Sequence, residues 1–348
     1  MEVTQRGRRP TSSDVARLAG VSRTTVSYVI NGTAAAHIPE ETRARVHAAI
    51  VQLDYHPHEA ARNLRSQASR VIASAMPEAT NPHHQETAAG LETYLKRQGY
   101  SLLRAITNFD PDEERRCLQW LKQQRVDALI LSASPGTTIY DEIRALRGQG
   151  YCITSLGGYA DSVDSVAVED MSGERQAIEH LAALGHRRIG YIYGVADQEL
   201  FSFRLDNCLA IQREHGLPVV EEWIKRCGPT QDEGYHATQT LLDVGKGTDR
   251  PTALVVVNDL LASAALSALY SAGLRVPDEM SVVSFDNTPL AAYAVPPLSS
   301  VDSEDRLMGE HAARLTLERL ADPQRPLVHL RTRARLVVRA SSGAPPTS

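Results

Sequence analysis

The chain has little with which to do covalent chemistry. Its 348 residues include only four cysteines, Cys117, Cys152, Cys208 and Cys227, far apart and without a Cys-x-x-Cys pair. That spacing argues against thiolate metal sites and a disulfide framework, and leaves buried free thiols. Twelve histidines are present, but His56/His58 and His83/His84 lack the i, i+4 spacing with which a helix face grips zinc. No Gly-x-Gly-x-x-Gly follows the first strand-like run, and there is neither a Gly-x-Ser-x-Gly elbow nor a phosphate-loop lysine motif. The expectation is a protein with no cofactor, no metal and no enzymatic activity. No apolar run approaches the roughly 20 residues of a membrane helix. The start, MEVTQRGRRPTSS, is polar and basic where a secretory signal would be apolar. A cytoplasmic protein without a membrane partner is expected.

Lysine is missing from residues 1–70, which hold ten arginines against six acidic residues. The head is therefore +4 while the whole chain is −5, so the remainder is −9. A basic head on an acidic body suits a polyanion that meets the head alone. With 42% hydrophobic residues and this length, the chain has material for more than one domain.

Within SSDVARLAGVSRTTVSYVIN, residues 12–31, Ala16, Gly20 and Val26 fall in the rhythm Ala-x3-Gly-x5-Val. Two short helices meeting at a tight turn need this: a small residue at the crossing, a glycine angle in the turn, a valine in the shared core. Ser12 or Ser13 is expected to cap the first helix and Ser22 the second. The second helix shows Arg23, Thr24, Thr25, Ser27 and Tyr28 on its polar side, as a recognition helix for base edges would. Residues 1–11 read as a basic, disordered arm able to touch phosphates. After Asn31-Gly32 a third helix is expected from Glu40 to about Leu53, with Val46, Ile50 and Leu53 at helical spacing. Beyond Pro57 only about two helical turns fit, too short to be stable alone.

Taken together, DVARLAGVSRTTVSYVING and TRARVHAAIVQLDYHPHEAARNLRS resemble the LacI/GalR family of bacterial transcription regulators. The shared motifs are Asp-Val-Ala-x-x-Ala-Gly-Val-Ser, Thr-Val-Ser, Tyr-x-Pro and Ala-Arg-x-Leu-Arg. The resemblance implies double-stranded operator DNA as partner, contacted by Thr11, Ser12, Ser22, Arg23, Thr24, Thr25, Ser27, Tyr28 and Asn31. It further implies a hinge helix with His58, Ala61 and Leu64 that pairs with its twin in a homodimer, Leu64 wedging into the minor groove. Position 28 departs from the family, where many members have an arginine that reads guanine. Tyrosine cannot make that bidentate pair, so the operator should differ and Arg23 becomes the candidate guanine reader.

From Arg70 onward apolar runs alternate with amphipathic patterns. Strands are expected at 71–76, 101–106, 128–131, 152–155, 189–193, 254–257 and 282–285, with helices such as 86–98, 112–124, 175–184 and 260–272 between them. This alternation implies parallel sheets covered on both faces. The fold class expected is an all-α headpiece with an α/β body of two doubly wound parallel-sheet sub-domains. Ligands on such sheets bind beyond the carboxyl ends of the strands. There stand His83 and His84, Ser132, Asn258 and Asp286, several tips carrying hydrogen-bonding side chains.

Over the body the resemblance implies a periplasmic-binding-protein-like shape and an effector contacted by Arg204, Asn258 and Asp286, to which the strand ends add His83, His84 and Ser132. An asparagine, Asn207, replaces the family's glycine three residues after Arg204. His83 and His84 replace aromatics of many relatives and can charge near neutral pH, so an unusually polar or anionic effector of the sugar or nucleoside class is expected. The domains read as a headpiece at 1–57, a hinge at 58–69 and a body at 70–341. Within the body, an N-sub-domain takes about 70–163 and 301–325, and a C-sub-domain about 164–297 and 326–341. Residues 342–348 read as a disordered tail without the heptads of a tetramerising one.

The function implied is a transcriptional repressor controlled by that effector. Two other readings stay open from the residues alone. A sugar-binding protein without a DNA role would share the body but normally needs export. A sugar-acting enzyme would have to use Asp259, Asp286 and His83 without any of the usual motifs.

Overall fold

The computed structural model describes residues 10–31, 38–55, 68–77, 80–108, 110–123, 125–132, 139–157, 161–169, 171–194, 199–244 and 250–346. Contacts divide the chain between Ser69 and Arg70 into two units. The first consists of three helices, α1 (Ser12–Ala19), α2 (Arg23–Asn31) and α3 (Glu40–Gln52). Thr11, not Ser12 or Ser13, caps α1: its N–H and its hydroxyl both donate to Asp14 Oδ2, at 2.9 and 2.7 Å. An acid three residues into the helix reaches back to the cap and also meets the positive end of the helix, which a serine cap alone would not achieve. Ser22 does cap α2, its Oγ accepting from the Thr25 N–H at 3.1 Å. Gly20 stands at φ +65°, and a Cβ there would meet nothing within 4 Å, so the turn demands the angle rather than the space. Val15, Ala16, Ala19, Val26, Val29, Val46 and Ala49 close a small core between the three helices.

The second unit is built on two six-stranded sheets. The first half runs β1 (Val71–Met76), α4 (Pro82–Arg97), β2 (Ser101–Ile106), α5 (Pro111–Lys122), β3 (Ala128–Leu131), α6 (Ile139–Gly148), β4 (Cys152–Leu156) and β5 (Asp164–Val168). The second half runs α7 (Ser172–Ala183), β6 (Ile189–Gly194), α8 (Glu199–Glu214), β7 (Ile224–Cys227), α9 (Gln231–Val244), β8 (Ala253–Val256), α10 (Asp259–Ser271), β9 (Ser281–Asp286), α11 (Pro289–Tyr293) and β10 (Ser299–Asp302). The chain then returns through α12 (Asp305–Ala321) and β11 (His329–Thr332) to the first half, and ends with β12 (Arg335–Val337) on the second. Strand orders are β11-β5-β4-β3-β1-β2 and β12-β10-β9-β8-β6-β7, and only the β10–β12 pairing is antiparallel. The central strands β1, β3, β4, β8 and β9 are buried almost throughout because helices cover both faces, which is why they read as unbroken apolar runs.

All three expected crossings between the sub-domains shift. Residues 164–168 and 329–332 belong to the first sheet, not to a C-sub-domain beginning at 164 and resuming at 326. The reason is the buried carboxylate of Asp164. Arg319 of α12 clasps it with Nε and Nη2 at 2.9 and 3.0 Å, and the Val328 N–H donates to it at 2.9 Å. A carboxylate with no exposed surface needs this bidentate partner, and the clasp ties both late strands to the first half. Likewise β10 lies in the second sheet, so that half extends to Asp302 and α12 begins the return. The chain crosses between halves after β5, after β10 and after β11, with Met171 and Glu304 in left-handed conformation (φ 62° and 54°) at two of the crossings.

Residues 342–346, expected as part of a disordered tail, pack against the body. Ser341 is fully buried, its Oγ donating to Val282 O at 2.6 Å and accepting from Ser299 N at 2.8 Å. Ser342 meets His180 Nε2 at 2.8 Å, and Gly343 O meets His186 Nε2 at 2.9 Å. Its small polar residues mimic a linker in sequence, but here they satisfy buried donors and acceptors beside β9 and β10.

Candidate functional site

In the headpiece, the core residues of α2 leave its polar side free. Arg23 and Thr24 are exposed, Thr25 and Ser27 are half-buried, and Tyr28 is 42% exposed. Ser22 Oγ also lies 2.9 Å from Thr25 Oγ1, so these two hydroxyls already serve the helix start. Thr11 and Ser12 are half-buried at the start of α1. Asn31 is the last residue of α2; its side chain, like His58, Ala61 and Leu64, lies outside the described residues. The exposed set of one arginine, one threonine and one tyrosine can hydrogen-bond base edges and phosphates.

In the body, the polar residues gather where strands end and helices begin. Asn81 Oδ1 accepts from His83 N at 3.1 Å and Pro82 opens α4, which fixes His83 and His84 in the first turn. The two rings meet edge to face, 4.8 Å between centres. Across from them, Asp286 ends β9 at φ 96° and Asn287 follows at φ 50°. Side chains disfavour this region, and such backbone persists where surroundings enforce it. Here Ser300 Oγ accepts from Asn287 N at 2.9 Å, and Arg339 Nη2 donates to Asn287 Oδ1 at 2.7 Å. Arg204 of α8 donates to Val257 O at 2.8 Å, stacks over Phe285 at 4.5 Å, and has Nε 3.7 Å from the Glu174 carboxylate.

Charge links these walls. Burial by itself would push the His83 imidazole down, but Asp305 at 2.8 Å and Asp286 more than reverse it, holding His83 up at about 9. Burial, then the neighbouring carboxylates Asp305 and Asp259, push Asp286 up to about 7 against the pull of His83 and Arg204. His84 goes the other way: burial and the charge on His83 drive it well below its ordinary value, so it is a neutral donor and acceptor. The structure thus brings His83, His84, Asp286 and Arg204 into one electrostatic cluster. Asn258 stands at the same end but caps α10, its Oδ1 accepting from Leu261 N at 2.8 Å. Ser132 follows β3, half-buried, its N–H donating to Ala75 O at 3.0 Å. Beside the cluster a groove of about 510 Å³ opens between Pro82, Gln85 and Glu86 of the first half and Ser263, Leu290 and Tyr293 of the second.

Two acids of this site, Asp305 and Glu174, carry no distinguishing signal in the sequence. Each sits in the first turn of a helix just after a crossing between the halves, where an acid reads simply as complementing the helix dipole. Conversely, Asp259 faces inward. Its carboxylate is fully buried and accepts from Ser284 Oγ (2.5 Å), Ser300 Oγ (2.7 Å), Thr288 N (2.6 Å) and Thr288 Oγ1 (2.9 Å), stitching β9, β10 and α11 together. No proton shuttle is available from a group so engaged. An Asp259→Asn variant keeps the shape, and the two serine hydroxyls can turn to accept from its amide. It should therefore lose only about 1–2 kcal/mol in urea denaturation, with ligand binding intact; loss of ligand response at unchanged stability would place Asp259 in the site instead.

A helical headpiece with an exposed polar recognition face, in one chain with a two-sheet body that holds a charged cleft at its strand ends, defines a ligand-responsive DNA-binding regulator. Residues 11–58 match the model for bacterial regulatory proteins of the lacI family, and residues 178–342 match a periplasmic binding protein-like domain. The chain is 32% identical over 313 residues to the HTH-type transcriptional repressor PurR of Aliivibrio salmonicida, covering 90% of this chain and 92% of the relative. It is 31% identical over 332 residues to PurR of Mannheimia succiniciproducens, covering 95% and 98%. This chain belongs to the LacI family of bacterial regulatory proteins, a family of transcriptional regulators rather than enzymes. Among solved structures it is similar to the lac repressor dimer bound to operator and the anti-inducer ONPF (TM-score 0.85, 25% identity, covering 97% of this chain and 100% of that one). It is also similar to a complex of the transcriptional regulator CelR with cellobiose (TM-score 0.71, 30% identity, 96% and 100%).

Proposed function

We infer that this chain is a sequence-specific transcriptional repressor whose operator affinity is set by a small polar effector, of the sugar or nucleoside class, bound between the two halves of the body. The observation that carries this is the cluster of His83, Asp286 and Arg204: charged groups gathered in the cleft from both halves of the body. A ligand there touches both halves, so it can shift their relative position, and any such shift is a coupling free energy to the DNA-binding state. Acting as a homodimer in the cytoplasm, the protein would present two recognition helices to a two-fold operator, with His58, Ala61 and Leu64 in the hinge. The described helices include none long and apolar enough to cross a membrane.

Fluorescence anisotropy of the full-length chain on selected operator DNA, with and without sugars, nucleosides and purines, tests the reading. Specific DNA should bind at least about 1,000-fold more tightly than unrelated DNA, and one ligand class should change that affinity. Equal affinity for all sequences would overturn it. Within the same assay, Arg23→Ala should lose about 1–3 kcal/mol at a single operator position and relax its base preference. A uniform loss over every sequence would make Arg23 a phosphate contact.

A further inference from the structure

Asp305 begins α12 and its side chain is 5% exposed, yet it faces the cleft cluster rather than the core. His83 Nδ1 stands 2.8 Å from its Oδ1, an ion-pair contact that lies off the line of a hydrogen bond. Neither atom makes a well-aligned hydrogen bond among the described residues. Asp286 is on the opposite wall, close enough that the Asp305 carboxylate helps push its carboxyl up. One imidazolium, His83, thus serves two buried carboxylates, while the other fixed cation, Arg204, is already engaged by Val257 O, Phe285 and Glu174. Around the cluster the acids Asp286, Asp305 and Glu174 outnumber the cations His83 and Arg204.

We propose that Asp305 is a specificity-determining residue of the ligand cleft: its carboxylate, ion-paired to His83 but with no aligned hydrogen bond at Oδ1, accepts a hydroxyl or N–H of an uncharged ligand, and with Asp286 it turns away anionic forms of the same ligand. This rests on the cleft being the effector site, and of the polar or anionic effector expected from histidines at 83 and 84 it favours the polar, uncharged one. His83 is not free to bind an anion, because its charge is already matched by Asp305. An anion entering here meets the Asp305 and Asp286 carboxylates with the His83 charge already matched, in a poorly solvated space where like-charge contact is strongly unfavourable. A hydroxyl or N–H donor meets the acceptor it needs.

The test uses wild-type full-length protein and matched ligand pairs followed by calorimetry and thermal shift. The pairs are glucose, ribose, cellobiose, guanosine and adenosine, each beside its phosphorylated or acid form. At least one uncharged member should bind, and its anionic counterpart should bind at least about tenfold more weakly. Asp305→Asn should weaken the uncharged ligand at least about tenfold and bring the two forms closer together. A residue with a merely structural role would weaken both members equally and leave their ratio alone. His83→Gln, which removes the cation between the carboxylates, should widen the ratio, and it answers the question even if Asp305→Asn does not fold. Preference for the anionic member, a ratio unmoved by these substitutions, or no binding by any uncharged member overturns the proposal. Operator binding that responds to an anionic ligand would do so while leaving the repressor reading intact; absence of sequence-specific DNA binding would instead remove that reading.

Discussion

Gly309→Ala should destabilise the body by about 3 kcal/mol or more and loosen the first wall of the cleft at the same time. α4 and α12 begin at the cleft, with His83 in the first turn of one and Asp305 in the first turn of the other. One helical turn further on, their backbones touch. A Cβ on Gly309 would lie 2.0 Å from Thr87 O and 3.0 Å from Leu91 N, and a Cβ on Gly90 would lie 2.0 Å from Arg306 O. The obstacles are main-chain atoms on both sides, which no rotamer change can move. Helix propensity alone favours alanine over glycine by about 1 kcal/mol, but that gain is smaller than the repulsion. Relief requires the helices to part, which opens the seam of Leu91, Leu95, Met308 and Ala312 beneath them. Parting them also lengthens the His83–Asp305 contact of 2.8 Å, and with it the arrangement that holds both side chains at the cleft. Urea denaturation of the body measures the first effect, and affinity for whichever ligand the cleft takes measures the second. Gly148→Ala is the control. It makes the same chemical change at a helix end where a Cβ meets nothing within 4 Å, so it should be neutral or mildly stabilising. If Gly309→Ala behaves like this control, the close approach of the helices does not set the cleft wall.

Sequence periodicity reveals only part of this arrangement. The seven strands expected in the body all form, with ends shifted by at most a residue, because a strand covered on both faces must be apolar along its whole length. The strands that escaped notice have mixed surroundings. β7, β11 and β12 lie at sheet edges with half-exposed polar residues, and β10 reads Ser-Ser-Val-Asp, its two serines fully buried. β5 reads Asp-Ser-Val-Ala-Val, and its buried Asp164 is intelligible only once Arg319, far along the chain, is seen to clasp it. Local pattern carries no record of a partner 155 residues away. The site divides in the same way. His83, Arg204 and Asp286 stand out as polar residues at strand ends, where topology requires a ligand to sit. Asp259 stood out for the same reason and proved to face inward, since Asn-Asp after a strand serves a helix cap and a buried serine network equally well. Asp305 and Glu174 were hidden because an acid in a first helical turn needs no further explanation. In the headpiece nearly every feature is local, and there the departure is a single cap, Thr11 with Asp14 in place of Ser12 or Ser13.

The ligand-free body should lose stability as the pH rises from about 5 to about 9, and His83 should account for the alkaline part of that loss. A group whose affinity for protons is higher folded than unfolded stabilises the fold below its unfolded pKa and ceases to do so once pH exceeds the folded value. His83 moves from 6.5 to about 9, so its contribution is complete below 6.5 and gone above about 9. Each tenfold of proton affinity is worth about 1.4 kcal/mol, which makes this contribution on the order of 3 kcal/mol. Asp286 rises from 3.8 to about 7, and a carboxylate raised in the fold likewise favours the folded state when protonated; stability should therefore fall between those values as it ionises. The groups that face the pair are Asp305 from α12, Arg204 from α8, Asp259 from α10 and the neutral His84 beside it. Because His83 and Asp286 attract each other, their contributions share that attraction and do not add. Urea midpoints across the pH range, compared among wild type, His83→Gln and Asp286→Asn, separate them. The first variant should flatten the limb above neutrality and the second the limb below it. Three parallel profiles would mean that neither group changes its proton affinity on folding, and that the cleft is wetter and its walls further apart than the 2.8 Å contact between His83 and Asp305 requires.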